Sequence, residues 1–206
     1  MPRRYQAILF DFDGVLVDSE PVHFECWNRV LAPFGLAISW DDYEAHCVGV
    51  SDRTMVQRLC DLSGKSDAFN DIWSRYAHKK QLFRERMLAE VPMPDSTRKL
   101  LKNLNGYRLA VVSSSGRTEV EPPLEAAGVW PRFETIVCGD DVTALKPDPE
   151  PYRLAAERLG IQRALVVEDS QAGLASGRAA GFDVVHVTSP ATMAEQVLRA
   201  LDVQPH

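Results

Sequence analysis

The sequence predicts an α/β protein: a parallel sheet covered by helices on both faces, with a helical segment inserted after the first strand. Three observations carry this reading. Five short apolar runs are rich in β-branched residues, helix-patterned segments lie between the later ones, and the stretch from about 17 to about 90 has no strand pattern. With 206 residues, 45% hydrophobic and 25% charged, the chain can bury a substantial core and hold one domain or a core with an inserted module.

The first run is ILF at 8–10, followed at once by DFDGVLVDSE. The others are RLAVVSSS at 108–115, FETIVCGD at 133–140, RALVVEDS at 163–170 and FDVVHVTS at 182–189. All end in polar or small residues, as expected of strands buried on both faces. Between them, 96–104 sets Leu100, Leu101 and Leu104 on one helical side. PEPYRLAAERLG at 149–160 opens on prolines and closes on Gly160, and SQAGLASGRAAG at 170–181 opens on the N-cap candidate Ser170 and stops at Gly181. Pro122 and Pro123 predict a short or late-starting helix after the second strand, since a residue before proline is biased away from helical angles.

The insertion reads as amphipathic helices at roughly 20–34, 41–46, 51–63 and 67–89, with Pro33, Gly35, Gly49 and Gly64 marking turns. The expected organisation is a core of residues 1–16 and 91–206 and a helical domain of residues 17–90.

A net charge of −6 gives no basic field to draw the chain to nucleic acid or an anionic membrane. No apolar run reaches membrane-spanning length, and the apolar stretch near the N-terminus is too short for a signal peptide. A cytoplasmic location is therefore expected; these features do not decide the oligomeric state, for which a monomer is the expectation. Cys26, Cys47, Cys60 and Cys138 form no Cys-x-x-Cys pair, which argues for reduced, mostly buried thiols.

The chemistry gathers at the strand ends. In an open parallel sheet, ligands bind beyond the carboxyl ends of the strands. Asp11 and Asp13 follow the first strand, Ser113 to Ser115 the second, Asp140 and Asp141 the third, and Glu168 and Asp169 the fourth, with Lys146 in the loop before a helix. Carboxylates crowded at one sheet edge repel one another unless a cation sits among them. Hard oxygen ligands without histidine or thiol point to Mg²⁺, and a nearby lysine would neutralise more. Asp140 and Asp141 read as loop acids that can support the site from behind, and Asp18 as an acid that hydrogen-bonds its own loop.

This constellation resembles the haloacid dehalogenase superfamily of phosphotransferases, over residues 8 to about 188. The motif Asp-x-Asp-Gly-x-(apolar)-x-Asp stands as Asp11 to Asp18, an apolar strand ends at Ser113, Lys146 precedes Pro147, and Glu168-Asp169 follows ALVV. The resemblance implies a Rossmann-like core with an inserted helical cap, and a phosphatase using Mg²⁺ and an aspartyl-phosphate on a small phosphorylated metabolite, a sugar phosphate by class. It implies Asp11 as nucleophile, Asp13 as general acid and base, and Ser113 with its neighbours Ser114 and Ser115 as holders of the phosphoryl oxygens. Lys146 would offset charge, while Asp11, Glu168, Asp169 and the main-chain carbonyl of Asp13 would hold the metal.

His23-Phe24-x-x-Trp27 after Ser19-Glu20-Pro21 resembles the cap start of phosphoglucomutase-type members and of many sugar-phosphate phosphatases. That implies a substrate-responsive role for His23 and a substrate contact for Lys80. Such mutases carry an arginine after the turn Gly49-Val50-Ser51 and a Lys-Asn pair after the serine of the second strand; here stand Asp52-Arg53 and Gly116-Arg117. Arg53 and Arg117 are candidate phosphate contacts by other routes. A mutase remains the alternative function. A metal-free haloacid dehalogenase is a further one, against which stand Asp13 and Glu168-Asp169.

Overall fold

The computed structural model describes residues 3–48 and 50–202, so the expected turn at Gly49 lies outside the described residues. The chain divides into two compact units, one running to Asp18 and resuming at Val91, the other spanning Ser19–Glu90.

The first unit is built on five parallel strands: β1 (Ala7–Phe10), β2 (Arg108–Val112), β3 (Thr135–Val137), β4 (Ala164–Glu168) and β5 (Asp183–His186), in the order β3-β2-β1-β4-β5. β1 lies between β2 and β4, with Leu9 opposite both Ala110 and Val166. All four residues of β1 are fully buried, which explains its unbroken apolar run. From β1 the chain builds outward to β2 and β3 on one side and to β4 and β5 on the other. The order reverses beside β1, where ligands of such sheets bind.

β5 departs from expectation. Its ends are exposed and its centre only half-buried, because it is an edge strand with β4 on one side alone.

One face of the sheet packs Leu9, Ala110, Val112 and Val166 against Tyr152, Ala155 and Leu159, which belong to the helix Glu150–Leu159. Each such large apolar side chain contributes about 1.5–3 kcal/mol by leaving water.

The insertion unit holds α1 (Glu20–Leu31), α2 (Trp40–His46), α3 (Asp52–Leu62), α4 (Phe69–Trp73) and α5 (Tyr76–Ala89). Ser39 and Ser51 cap α2 and α3, each accepting an N–H from the third residue on. Trp27, Leu31, Val56, Cys60 and Ile72 are fully buried at its centre. The helix expected over 67–89 is broken: Ser74 and Arg75 interrupt it. Helices α6 (Asp95–Asn103), α7 (Arg117–Ala126), α8 (Glu150–Leu159), α9 (Gln171–Ala179) and α10 (Pro190–Asp202) belong to the first unit.

α7 also corrects the sequence reading. It begins at Arg117 and runs through Pro122 and Pro123, which deny N–H partners only to the carbonyls one turn earlier. Burial of Val120, Pro123 and Leu124 compensates. All four cysteines are free and buried, as composition suggested. Among the described residues, no helix is long and apolar enough to cross a membrane.

Candidate active site

β1 delivers Asp11 one residue past its end, where the Asp11 N–H still bonds Val167 O at 2.9 Å and so continues the sheet ladder. The chain then turns tightly: the N–H groups of Leu16 and Val17 both reach Phe12 O, and Gly14 N–H reaches Val17 O. Gly14 has φ +71°, and a Cβ there would lie 1.9 Å from Asp169 Oδ2. Only glycine satisfies both the turn and that close approach.

Asp11 is 8% exposed and Glu168 is fully buried. Between them lies the Lys146 ammonium, 2.7 Å from Asp11 Oδ1 and 2.5 Å from Glu168 Oε1, and it also donates to Val112 O at 2.8 Å. The lysine side chain is only 5% exposed. All three of its donors thus have acceptors, supplied by three adjacent strand ends. Glu168 Oε1 also accepts the Tyr152 hydroxyl at 2.8 Å. The other oxygen, Oε2, accepts the N–H groups of Asp169 and Ser170 and the Ser170 hydroxyl, so this carboxylate is fixed in place.

Asp11, Glu168 and Asp169 each present one oxygen, all within 4.8 Å of one another. Burial, then the Glu168 charge, pushes the Asp11 carboxyl well above its ordinary value. The same two causes push Asp169 up to about 7. Burial opposes the Lys146 charge, but Asp11 and Glu168 outweigh it and raise its pKa. Three carboxylates around one ammonium leave two negative charges in excess, and the donors are hard oxygens. That donor set fits a divalent cation such as Mg²⁺.

The loop after β2 faces this cluster. Ser113 is buried, its N–H bonds Val137 O, and its hydroxyl oxygen accepts the Ser115 N–H at 3.0 Å. The Ser115 hydroxyl donates to Asp13 Oδ2 at 2.9 Å, which ties the second aspartate of the motif to the serine loop. Ser114 is exposed.

Arg117 stands at the start of α7, next to the serine loop. Its guanidinium is held by Glu121 and by Asp141 Oδ2, the latter at 2.6 Å, so both ends of the fork are committed within the protein. No signal in the spacing disclosed those partners, which come from α7 and from the turn after β3.

Within the insertion unit, His23 stacks on Phe83 with ring centroids 4.0 Å apart, and its Nδ1 accepts from the Lys79 ammonium at 2.7 Å. Lys79 is 2% exposed and also meets Asp52 Oδ2 at 3.2 Å, while Asp52 Oδ1 accepts Trp27 Nε1–H at 2.8 Å. Burial, then the Lys79 charge, lowers His23 to about 3, so the ring is neutral. The buried lysine of HKKQLF is therefore Lys79. Lys80, about 100° further round the helix, stands 5.8 Å from the Tyr76 ring centroid. Likewise Asp52 joins the network, while the Arg53 guanidinium lies over the rings of Phe69 and Trp73. Sequence reading missed Tyr152, Lys79 and Asp52 as site or network residues, and it named Asp141 without its partners Arg117 and Arg158. A lysine at a helical position otherwise patterned as core was the available signal for Lys79.

Comparison with known proteins agrees with this geometry. The sequence model of a family described as "Haloacid dehalogenase-like hydrolase" matches residues 8–187. The chain is 31% identical to the "Phosphorylated carbohydrates phosphatase" of Thermotoga maritima, over 88% of this chain and 84% of that protein. To the "Fructose-1-phosphate phosphatase YqaB" of Escherichia coli it is 32% identical, over 91% of this chain and 98% of that protein. Among solved structures, CbbY from Rhodobacter sphaeroides in complex with phosphate superposes with a TM-score of 0.66 at 26% identity, covering 89% of this chain and 87% of that one.

Proposed function

Because this chain belongs to the haloacid dehalogenase-like hydrolases, we propose that it is a Mg²⁺-dependent phosphatase of a small phosphorylated metabolite, a sugar phosphate by class, acting through an aspartyl-phosphate. The observation that carries the reading is Lys146 bonded at once to Asp11 and Glu168, beside Asp169.

In this reading Asp11 attacks phosphorus with a carboxylate oxygen, one of the roles open to an aspartate in covalent catalysis. Its Oδ1 is engaged by Lys146, which leaves Oδ2 to form the new P–O bond. The bond from phosphorus to the substrate oxygen breaks, and Asp13 gives that oxygen a proton. Asp13 then takes a proton from water as the water attacks the aspartyl-phosphate, which frees orthophosphate and restores Asp11. Separate environments serve these two roles: Asp11 is buried against an ammonium, while Asp13 is less buried and bonded to a hydroxyl.

Ser113, Ser114 and Ser115 receive the phosphoryl oxygens through hydroxyls and main-chain N–H groups. Lys146 lowers the repulsion between the attacking carboxylate and the phosphate, a charge-positioning role that dominates phosphoryl transfer. Asp11, Glu168, Asp169 and the main-chain carbonyl of Asp13 would hold Mg²⁺, whose charge would further offset that of the phosphoryl group. The helical insertion acts as a cap that selects the substrate and excludes water, with His23, Lys79 and Asp52 as its polar centre and Arg53 and Lys80 outside that centre.

The test is phosphate release from a panel of hexose, hexitol and triose phosphates, with Mg²⁺ and with chelator, using Asp11→Asn as the blank. Release by the parent alone, and only with Mg²⁺, is expected. Equal rates in the blank would overturn the nucleophile assignment. Isomerisation of a sugar phosphate without phosphate release would replace hydrolysis by a mutase reaction.

A further inference from the structure

Behind the serine loop lies a set of contacts that touches no reacting atom. Gly116 occupies the N-cap of α7 and has no side chain to cap the helix with. The Arg117 N–H is met instead by Asp140 Oδ2, at 2.8 Å, from the turn after β3. The neighbouring Asp141 accepts the Cys138 N–H at 2.8 Å, the Arg117 guanidinium at 2.6 Å and the Arg158 guanidinium at 3.2 Å. Main chain meets main chain as well: Gly139 N–H donates to Ser115 O at 2.9 Å, and a Cβ on Gly139 would lie 2.5 Å from Ser114 O.

From this juxtaposition we propose that the turn Gly139–Asp141 positions the phosphoryl-binding loop, with Asp141 and Arg117 as its fasteners. The proposal rests on the phosphatase reading above and deepens it. The loop of Ser113, Ser114 and Ser115 has little apolar surface of its own to hold it in place. Its geometry is set from outside, by charge-assisted bonds to a carboxylate anchored on β3 and on α8 through Arg158. The same loop holds Asp13 through Ser115, so a loosened turn displaces the phosphoryl cradle and the proton donor together. Misplacement of about 1 Å at such a site costs on the order of 10²-fold in rate. Arg117 and Asp141 are thus positioning residues, and Arg117 makes no substrate contact.

The experiment compares the parent with Asp141→Asn, which keeps the shape and loses the charge that gathers two guanidinium groups. Three quantities are read: melting temperature, kcat and KM on whichever sugar phosphate the panel identifies, and hydrogen–deuterium exchange of the amides from 113 to 119. Expected are a roughly tenfold or greater fall in kcat well below the melting temperature and faster exchange confined to that segment. A lowered melting temperature with kcat and exchange unchanged would overturn the proposal, since the contacts would then serve stability alone. If Asp141→Asn does not fold, Arg117→Lys, which keeps a charge but not the fork, is read in the same way with a smaller loss. If the parent releases phosphate from nothing in the panel, the phosphatase reading fails by itself. Exchange then decides the loop: faster supports the fastening role and unchanged ends it.

Discussion

Tyr152 and Lys146 converge on a single oxygen. The phenol hydroxyl and the ammonium both donate to Glu168 Oε1, at 2.8 and 2.5 Å, and the ammonium stands 5.2 Å from the centre of the Tyr152 ring. The lysine is thereby fixed from beneath by an aromatic face and from the side by a carboxylate that cannot move.

Removing either partner should have different consequences. Tyr152→Phe keeps the ring and deletes one neutral donor among five on Glu168, so a loss of about 1 kcal/mol is expected. Lys146→Met leaves Asp11 and Glu168 buried without their cation, which should cost about 3–5 kcal/mol and abolish phosphate release. Urea denaturation with turnover measured in parallel checks both. A Lys146→Met protein as stable as its parent would contradict the electrostatic account.

Asp169 offers a test in which stability and activity move oppositely. With chelator at pH 8, Asp169→Asn should melt at a higher temperature than the parent, because it removes one carboxylate crowded against Glu168 and Asp11. With Mg²⁺ the order should reverse: the parent should gain about 2.7 kcal/mol at a hundredfold excess over its dissociation constant, and the variant far less. Phosphate release should fall by at least about 10²-fold in the variant. Melting curves over a Mg²⁺ titration read all of this, and an equal Mg²⁺ response in both proteins would remove Asp169 from the metal site.

The insertion unit should respond to acid through His23. Its folded-state pKa, about 3, lies below the unfolded value near 6.5, so between those limits the unfolded chain binds the extra proton and acid favours unfolding. Stability from the neutral ring is complete above about pH 6.5 and is lost as pH falls towards 3, by at most about 3 kcal/mol at pH 4. His23→Gln retains an acceptor for the Lys79 ammonium without a titrating ring. Its melting temperature should fall several degrees less between pH 7 and pH 4 than the parent's, and identical slopes would refute a buried neutral histidine.

The sheet was legible because burial on both faces leaves an unmistakable mark: β1, β2 and β4 appear as apolar runs, and the carboxylates and serines stand immediately after them. β5 misled because its edge position depends on strand order, to which local composition is blind. α7 misled because propensity weighs a proline by its lost bond, whereas packing of Val120, Pro123 and Leu124 decides whether that loss is tolerated.

For Asp11, Asp13, Ser113, Lys146, Glu168 and Asp169 the sequence alone determined placement: each stands at a strand end or in the following loop. Which of two adjacent lysines is buried, and that Arg117 faces Asp141 and Glu121, belonged to the tertiary structure. The physical reason is range. Strand burial on both faces is written into a continuous run of neighbouring apolar residues, while an ion pair is settled by a few ångströms between segments far apart along the chain, and neighbouring side chains on a helix point about 100° apart.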